Sequence, residues 1–359
     1  MPGVEHVHGE RKVRGGKLVV VDGRLEDGVL HDVVLSGDFF LEPDEALDWL
    51  TGALQGIPAG ISLDDLATRL EAARRDATML GFAPRDIALA VLRALGRATT
   101  WEDHEFELVE TGPLEPAVQM ALDEVLARQV AEGRRTPSLR IWEWASSAVI
   151  IGSYQSLTNE VDLEAAQQHG ITVVRRISGG GAMFVEPGNT ITYSLYVPDT
   201  LVAGMSFAES YAFLDEWVLR GLRAVGVEAT YAPLNDITSP LGKIGGAAQK
   251  RLTRGTGAVG GVLHHATMAY DIDQAKMLDV LRIGREKLSD KGVTSAGKRV
   301  DPIRAQTGLT REKVVEALLD AFDADHGLRR VPLDDATRAE AEALAEEKFR
   351  DGAWLARVP

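Results

Sequence analysis

The stretch that decides the fold is Val173-Val174-Arg175-Arg176-Ile177-Ser178-Gly179-Gly180-Gly181-Ala182-Met183-Phe184. It joins the end of a β-branched strand to three consecutive glycines that follow two arginines. Each glycine loses about 0.5–1 kcal/mol relative to alanine in a regular element, so the run predicts a loop that a ligand can approach closely. Arginine supplies fixed positive charge and forked donors for carboxylate or phosphate. The stretch therefore indicates an anion-binding loop, and a glycine-rich hairpin with two solvated arginines is the alternative.

The composition is that of an acidic protein with enough residues for one large core or two. The chain has 359 residues, is 45% hydrophobic and carries a net charge of -15 at pH 7. This charge argues against nucleic-acid binding, because a basic surface supplies most of that affinity. No apolar run approaches the roughly 18 residues that cross a bilayer, and the polar N-terminus lacks the core of a signal peptide. We expect a cytoplasmic protein with neither nucleic-acid nor membrane partners.

Cysteine is absent from the sequence. Disulfides, cysteine-bound metals and thioester chemistry on the enzyme are thereby excluded. Eight histidines remain, but no HExxH-like spacing occurs among them, so we predict no structural zinc site.

Periodicity and capping signals predict an α+β protein with two domains, a small one over residues 1–97 and a larger one over residues 98–359. In the small domain we expect a β-hairpin over residues 17–40, turning at Asp27-Gly28, and then three helices that open at Pro43, Ser62 and Pro84. The larger domain is predicted as a mixed sheet with flanking helices. Its helices are expected from Pro116 to Gly133, from Phe207 to Val225 with the aromatic side chains inward, from Arg311 to Asp323, and from Asp335 to Arg350. Its strands are expected over residues 139–144, 148–151, 171–174, 190–197, 231–237, 244–249 and 260–272.

A second segment, Asn235-Asp236-Ile237 followed by Gly242-Lys243-Ile244-Gly245-Gly246-Ala247-Ala248-Gln249, also sets a charge among small residues. A lysine in such surroundings can stabilise an oxyanion or phosphate, and a surface turn is the alternative. A third segment, Leu263-His264-His265-Ala266-Thr267, reads as a strand. Its two histidines face opposite sides, so they are poorly placed to hold one metal, and a packing role is the alternative.

Together and in this order, these segments resemble the lipoate-protein ligase family, relatives of the biotin protein ligases. The resemblance continues through Pro116 to Glu124, Leu139 to Trp142, Val149 to Gln155, Lys287 to Ser295 and Trp354-Leu355. It implies a biotin/lipoate ligase-like catalytic domain over residues 98–359. Residues 1–97, with Val13-Arg14-Gly15-Gly16-Lys17-Leu18-Val19, look like the accessory domain of the same ligases. In better-known members that domain follows the catalytic domain, whereas here it comes first.

The implied activity has two steps: lipoate and ATP give lipoyl-adenylate and pyrophosphate, and the lipoyl group then moves to a lysine of an acceptor protein. The implied acceptors are lipoyl domains of 2-oxoacid dehydrogenase E2 subunits and the glycine cleavage H protein. ATP and Mg²⁺ are the implied cosubstrate and metal, with no tightly bound organic cofactor. Because the first step joins two anions, it needs positive charge and backbone donors.

Carried over onto this sequence, the resemblance makes Lys243 the catalytic residue and Asp236 the metal ligand or the group that orients Lys243. It assigns ATP and the adenylate to Arg176, Gly181, Ala182, Met183, Phe184, Asn235, Asp236 and Lys243. It assigns lipoate to Lys243, Arg176, Ser178, Gly179, Gly180 and Trp142, with Ile151 and Val174 as further apolar walls.

Two departures from the family pattern bear on the reaction. Phe184-Val185-Glu186-Pro187-Gly188-Asn189 replaces a version with His and Asp at the second and third places, and GKIGGAAQ has Gly where many ligases carry Ser. GxAQ endings also occur in octanoyl and lipoyl transferases that hold the acyl group on a cysteine. Because this chain has no cysteine, the adenylate route is favoured.

The alternatives are an octanoate- or biotin-activating ligase of the same fold, and a non-catalytic module that binds lipoyl domains. The uninterrupted GGGA run favours lipoate over biotin, and the presence of Lys243, Arg176 and Asn235-Asp236 together argues against a non-catalytic module. Local positive charge at Lys250, Arg251 and Arg254 is the candidate docking region for an acidic acceptor.

Overall fold

A computed structural model describes residues 4–13, 15–232, 234–252, 260–282 and 300–359. The chain divides into two compact units, one of residues 1–100 with 200–204 and the other of residues 101–199 with 205–359. Within the described ranges, no helix combines the length and apolarity that a membrane span requires. The motif Lys287 to Ser295 and the docking candidate Arg254 lie outside the described residues.

The first unit packs helices against a small antiparallel sheet in the order β1-β2-β3-β5, with a separate β4-β6 pair. Its elements are β1 (Glu5–Lys12), β2 (Leu18–Glu26), β3 (Val29–Gly37), β4 (Phe40–Glu42), α1 (Ala46–Leu54), β5 (Ile57–Pro58), α2 (Leu63–Ala73), β6 (Thr78–Leu80) and α3 (Pro84–Ala94).

Several predictions for this unit are confirmed. The hairpin turns at Asp27 and Gly28, both with positive φ, and Ser62 caps α2 by accepting from the amide of Asp65 at 3.1 Å. The strand β1 was not predicted, because its residues are mostly polar and only Val7 and Gly9 along it are buried. The role of this unit as an accessory domain stays a prediction.

The second unit is a mixed sheet with helices packed around it, as predicted. Its elements are β7 (Glu107–Glu110), β8 (Pro113–Leu114), α4 (Pro116–Ala131), β9 (Ser138–Trp144), β10 (Ala148–Ile151), α5 (Leu157–Glu160), α6 (Leu163–Gln168), β11 (Thr172–Arg175), β12 (Met183–Val185), β13 (Thr190–Pro198), α7 (Phe207–Leu214), α8 (Glu216–Ala224), β14 (Thr230–Ala232), β15 (Asp236–Ser239), β16 (Gly242–Leu252), β17 (Gly261–Ala269), α9 (Gln274–Val280), α10 (Ile303–Thr307), α11 (Arg311–His326), β18 (Arg329–Pro332), α12 (Asp335–Leu344) and α13 (Gly352–Leu355). The large sheet runs in the order β14-β15-β16-β17-β13-β9-β7-β18, and a smaller sheet in the order β11-β10-β12.

The helix predicted from Phe207 to Val225 is wrong in two respects. The chain breaks at Asp215 into α7 and α8, because this fully buried carboxylate bonds to His264 at 2.5 Å and to the hydroxyl of Tyr193. Phe207 does not point inward; it is 51% exposed beneath the guanidinium of Arg251.

The single strand predicted from Tyr231 to Ile237 is wrong as well. The structure places two antiparallel strands there, β14 and β15, with Tyr231 opposite Ile237. The turn between the two strands, which includes Leu234 and Asn235, was not predicted.

Helix α4 ends before Gly133, whose φ is +68°, as predicted. The helix is buried almost all round, and its buried residues include the charged Asp123 and Glu124. A carboxylate inside the core requires partners, and those of Asp123 belong to the candidate site.

Candidate functional site

The glycine loop leaves β11 and returns as β12 along the other side of β10. Strand β10 pairs in parallel with β11 and antiparallel with β12, so both ends of the loop are fixed by one small sheet. Gly180 has φ +92°, and a Cβ atom there would lie 2.9 Å from Nη2 of Arg176. A Cβ atom on Gly152 would collide with the carbonyl oxygen of Gly180. Glycine is therefore required at both positions by close approach, and at Gly180 by backbone conformation as well.

The two adjacent arginines have different roles. Arg175 is fully buried and donates to the carbonyl oxygens of Gly152 at 2.9 Å and Gln155 at 2.7 Å. It also donates to those of Leu355 at 2.9 Å and Val358 at 3.0 Å. The expectation that both arginines offer their donors to an anion is therefore wrong for Arg175, which holds the C-terminal segment beneath the loop.

Arg176 lies on the wall of a cavity. Its Nε donates to Oγ of Ser178 at 3.0 Å, and its Nη2 donates to the carbonyl oxygens of Gly179 at 2.6 Å and Gly181 at 2.9 Å. Burial lowers the pKa of Arg176 to about 10, and no carboxylate of the described chain offsets that effect. The guanidinium is still charged at neutral pH, so this wall presents a buried positive charge that has no counterion among the described residues.

The predicted lysine forms the facing wall. Lys243 lies on β16, and its Nζ is 2.7 Å from Oδ1 of Asp236 on β15, with 28% of the lysine side chain exposed. Asn235 supports this arrangement, since its Nδ2 donates to the carbonyl oxygen of Ala247 at 2.6 Å. A Cβ atom on Gly246 would lie 3.5 Å from Lys243 Nζ, so the small residues leave room around the ammonium.

The cavity between these walls has a volume of about 200 Å³. Ligand pockets commonly measure about 300–1,000 Å³, so a nucleotide and an acyl chain together require it to widen or extend. The predicted residues that the cavity brings together are Arg176, Gly181, Ala182, Met183, Phe184, Asn235 and Lys243. The wall also includes residues that were not predicted as site residues, namely His265, Ala266 and Thr267 of β17, and the apolar Ile272, Met277 and Leu281 at and around α9.

Other predicted residues lie behind this wall. Trp142 is 1% exposed in the core, where its Nε1 donates to Oγ of Ser194 at 2.9 Å. Ile151 and Val174 are likewise buried in hydrophobic clusters. Ser178, Gly179 and Gly180 belong to the loop without lining the cavity, and Ser178 is fully buried. For these residues, direct contact with lipoate stays a prediction.

Asp236 also lies behind the wall, where it contacts Lys243. Among the described residues, no cluster of three or more histidine or acidic side chains has the arrangement of a metal site. A nucleotide-bound Mg²⁺ ordinarily needs only one or two protein carboxylates in addition to phosphate oxygens. The position of Asp236 favours orientation of Lys243 over the metal role.

A buried chain of side chains that sequence reasoning missed connects the loop to α4. Oγ of Ser178 is 2.7 Å from Nε2 of His265, and Nδ1 of His265 is 2.8 Å from Oδ2 of Asp123. Because Ser178 Oγ already accepts from Arg176 Nε, we assign the Ser178 hydroxyl as the donor to His265 Nε2. The other ring nitrogen then carries the hydrogen, and His265 Nδ1–H donates to Asp123. This assignment makes His265 neutral.

The electrostatics of this chain agree with a neutral His265. Burial lowers the pKa of His265, against the opposing effect of Asp123. Burial alone would raise the pKa of Asp123, but the hydrogen bond from His265 and the charge of Arg140 hold it below its usual value. Asp123 also accepts from Arg140 at 2.8 Å, Ser194 at 2.8 Å and Tyr196 at 2.5 Å. The position of Asp123 on a helix of mostly apolar residues was the sequence signal that could have revealed this network.

The other histidine of the pair faces away from the cavity, as predicted for adjacent strand residues. Nε2 of His264 is 2.5 Å from Asp215, and its Nδ1 is 3.1 Å from Nε2 of Gln249. Its partners are all buried, which fits the packing role.

The predicted docking cluster is only partly described. Nη2 of Arg251 donates to the carbonyl oxygen of Met205 at 3.2 Å and to Oγ of Ser210 at 3.3 Å, so this guanidinium is engaged within its own unit. Docking of an acceptor at Lys250 and Arg251 stays a prediction.

Comparison with known proteins identifies the family. A family model described as the lipoyl protein ligase A/B catalytic domain matches residues 115–323. Octanoyltransferase LipM of Halalkalibacterium halodurans is 26% identical over 280 residues, which cover 69% of this chain and 98% of that protein. The probable lipoate-protein ligase A of Mycoplasma pneumoniae is 27% identical over 240 residues, which cover 67% of this chain and 68% of that protein. The solved structure of a bi-partite lipoate protein ligase from Thermoplasma acidophilum, described together with its E2 lipoyl domain, has a TM-score of 0.60 and 27% identity and covers 71% of this chain and 97% of that one.

Proposed function

Because the chain belongs to the lipoyl protein ligase A/B catalytic domain family, we propose that it is an ATP-dependent lipoate-protein ligase. It is an enzyme of the family that contains lipoate ligases and octanoyltransferases. The observation that carries the finer proposal is the pair of cationic side chains, Arg176 and Lys243, on the walls of one cavity. Arg176 lacks a carboxylate partner among the described residues, so an incoming anion is favoured there.

In the first step, a carboxylate oxygen of lipoate attacks the α-phosphorus of ATP, and the bond from that phosphorus to the bridging oxygen breaks to release pyrophosphate. Arg176 and Lys243 reduce the repulsion between the two anions and stabilise the charge on the phosphoryl oxygens. Residues Gly181 to Phe184, with Asn235, are proposed to contact the nucleotide, and Asp236 to orient Lys243. A Mg²⁺ ion carried by the phosphates would supply further neutralisation there.

In the second step, the amine of an acceptor lysine attacks the acyl carbonyl of the adenylate. The carbonyl–oxygen bond to AMP breaks, AMP leaves with the electron pair, and the new amide nitrogen loses a proton. The proposed acceptors are lipoyl domains of 2-oxoacid dehydrogenase E2 subunits and the glycine cleavage H protein. The Thermoplasma acidophilum ligase, which is described with an E2 lipoyl domain, supports lipoyl domains as acceptors.

Transfer of a preformed octanoyl group without ATP is the second candidate, and the name of the LipM relative favours it. A cysteine-bound intermediate has no residue to carry it in this sequence. The hydrogen-bonded series of Ser178, His265 and Asp123 has the arrangement of a hydrolase triad. However, Ser178 Oγ is buried, accepts a hydrogen bond from Arg176 and does not line the cavity. These contacts support the adenylate route instead.

The deciding experiment is exchange of labelled pyrophosphate into ATP by the full chain, with lipoate, octanoate or biotin as the acid. The proposal expects exchange that depends on lipoate and is lost in Lys243→Ala. Octanoyl transfer from an acyl carrier protein in the absence of ATP, with no exchange for any acid, would replace the ligase by the transferase. Exchange with octanoate or biotin alone would reassign the substrate.

We also propose that residues 1–97 act as an accessory domain in adenylation. A chain that begins at residue 98 should lose lipoate-dependent exchange more than transfer from supplied lipoyl-adenylate. Equal loss of both activities would contradict this division of roles.

A further inference from the structure

The turn between β12 and β13 carries a buried glutamate whose ion pair with a partly exposed lysine reaches helix α9. Glu186 is 7% exposed, and its Oε1 accepts from Nζ of Lys276 on α9 at 2.6 Å. Its Oε2 accepts from Nδ2 of Asn189 at 3.0 Å, within the same turn. Glu186 stands at one of the places where this sequence departs from the family pattern, with an acid one methylene longer than Asp.

The same turn is fixed to the connection between β17 and α9. The carbonyl oxygen of Asn189 accepts from the amides of Tyr270 at 3.1 Å and Asp271 at 3.0 Å. The ion pair is therefore a second attachment, one that acts on the helix itself. The hydrogen bond that the Lys276 ammonium donates to Glu186 also raises the pKa of Lys276, in accord with a persistent charged pair.

The helix held in this way is part of the cavity wall. Met277 is the next residue after Lys276, and it lines the cavity with Leu281 and Ile272. Phe184, at the end of the glycine loop, lines the same apolar end. This end contrasts with the wall that presents the cationic Arg176 and Lys243.

The hydroxyl of Thr190 on the cavity wall indicates which kind of ligand group binds there. Thr190 lines the cavity at the start of β13, opposite Ala269 at the end of β17. Its Oγ1 is buried without a hydrogen-bond partner in the part of the chain that the structure describes. A buried hydroxyl of this kind favours a ligand that has donors or acceptors. A purine base has both, whereas an acyl chain with a dithiolane ring has no hydrogen-bond donor.

We propose that Glu186 and Lys276 are positioning residues that set α9 against the nucleotide, so that their ion pair controls affinity for ATP and leaves affinity for the acyl acid unchanged. This inference rests on the proposed function for the identity of the nucleotide. Neither residue lines the cavity, and both act through the wall residues of α9 and through the turn.

The test is a double-mutant cycle with Glu186→Gln, Lys276→Met and the double variant. Dissociation constants for ATP are measured by calorimetry without an acid, and Michaelis constants for ATP and lipoate by pyrophosphate exchange. We expect each single change to weaken ATP binding about three- to tenfold, and the double variant to be no weaker than the singles because the pair is already broken. Lipoate constants should stay within about twofold, and Lys276→Arg should retain most of the ATP affinity.

The matched control is an ion pair on the same unit and away from the cavity. Arg330 Nη1 lies 2.8 Å from Glu110, with 62% and 53% of the two side chains exposed. Glu110→Gln should leave ATP affinity unchanged, and melting temperatures of all variants identify any that fold poorly.

The outcomes separate this inference from the proposed function. The positioning role would be overturned by unchanged ATP affinity in the variants, by an equal loss of lipoate affinity, or by additive effects of the two changes. The ligase proposal would still stand in that case, provided that the unmodified chain shows lipoate-dependent exchange. ATP binding that responds to the variants, without lipoate-dependent exchange in the unmodified chain, would reject the ligase and retain the positioning role. A chain that binds no ATP would overturn both.

Discussion

Replacing Arg176 by methionine tests separately how this residue affects the stability of the ligand-free protein and how it affects the binding of an anion. The change removes the buried guanidinium and retains an unbranched side chain of similar reach. Burial lowers the pKa of Arg176 from its ordinary value to about 10, so folding disfavours the charged form by about 3 kcal/mol. Since the folded pKa is depressed, this cost is fully present at neutral pH and is relieved only above about pH 10.

The methionine recovers that cost but loses the hydrogen bonds of Arg176 to Ser178, Gly179, Gly181 and Ile150. At about 1 kcal/mol for each of these four acceptors, the loss is about 4 kcal/mol, so the two terms offset each other to within about 1 kcal/mol. We expect the free energy of unfolding of the empty protein to change by less than about 2 kcal/mol. Binding should change far more, because ATP at a concentration of 100 dissociation constants stabilises the unmodified protein by about 2.7 kcal/mol and should not stabilise the variant measurably.

The assay is thermal unfolding with and without ATP, with Arg175→Met as the matched control. We expect ATP to raise the melting temperature of the unmodified protein by about 5–10 °C and to leave Arg176→Met unmoved. Arg175→Met should lose up to about 5 kcal/mol of stability, because five carbonyl oxygens lose their donor. An ATP response in Arg176→Met equal to that of the unmodified protein would refute the assignment of the buried charge to the ligand.

Three further predictions concern the loop, the lysine and the buried histidine. Gly180→Ala should cost about 1–3 kcal/mol because φ is +92° and the new Cβ would lie 2.9 Å from Arg176, whereas Gly181→Ala, with open space around it, should melt within about 2 °C of the unmodified protein. Equal melting temperatures for the two variants would contradict the loop geometry. Lys243→Ala should reduce lipoate-dependent pyrophosphate exchange at least about 100-fold, because the ammonium is proposed to stabilise the reacting anions. The urea midpoint should stay unchanged, because the ammonium is partly exposed and pairs only with Asp236 among the described residues. Because the pKa of His265 is lowered from 6.5, the unfolded chain binds more protons and stability should fall as pH drops below 6.5. A urea midpoint that stays constant between about pH 7.5 and about pH 5 would argue that His265 is not held neutral.

Local patterns in the sequence were enough to predict most of the elements and the glycine loop between two strands. Period-two and helical spacing predicted β13 and α4, and capping residues such as Ser62 predicted where helices begin. These signals depend on neighbours a few residues apart, so they can be read without the fold. These signals did not predict the break between α7 and α8 at Asp215. The break depends on hydrogen bonds from Asp215 to His264 and Tyr193 on distant strands and not on local helix propensity.

The sequence by itself determined that three glycines follow an arginine pair, that a lysine stands among small residues downstream, and that no cysteine can carry an acyl group. Only the tertiary structure decided which arginine faces the cavity, since Arg175 and Arg176 are adjacent and chemically identical, and the pleat of the sheet turns one toward the C-terminal segment. Tertiary structure also decided the link from Ser178 through His265 to Asp123, whose members lie 87 and 142 positions apart. Contacts at such separations follow no period along the chain, and they arise only when sheet pairing and helix packing bring the elements together.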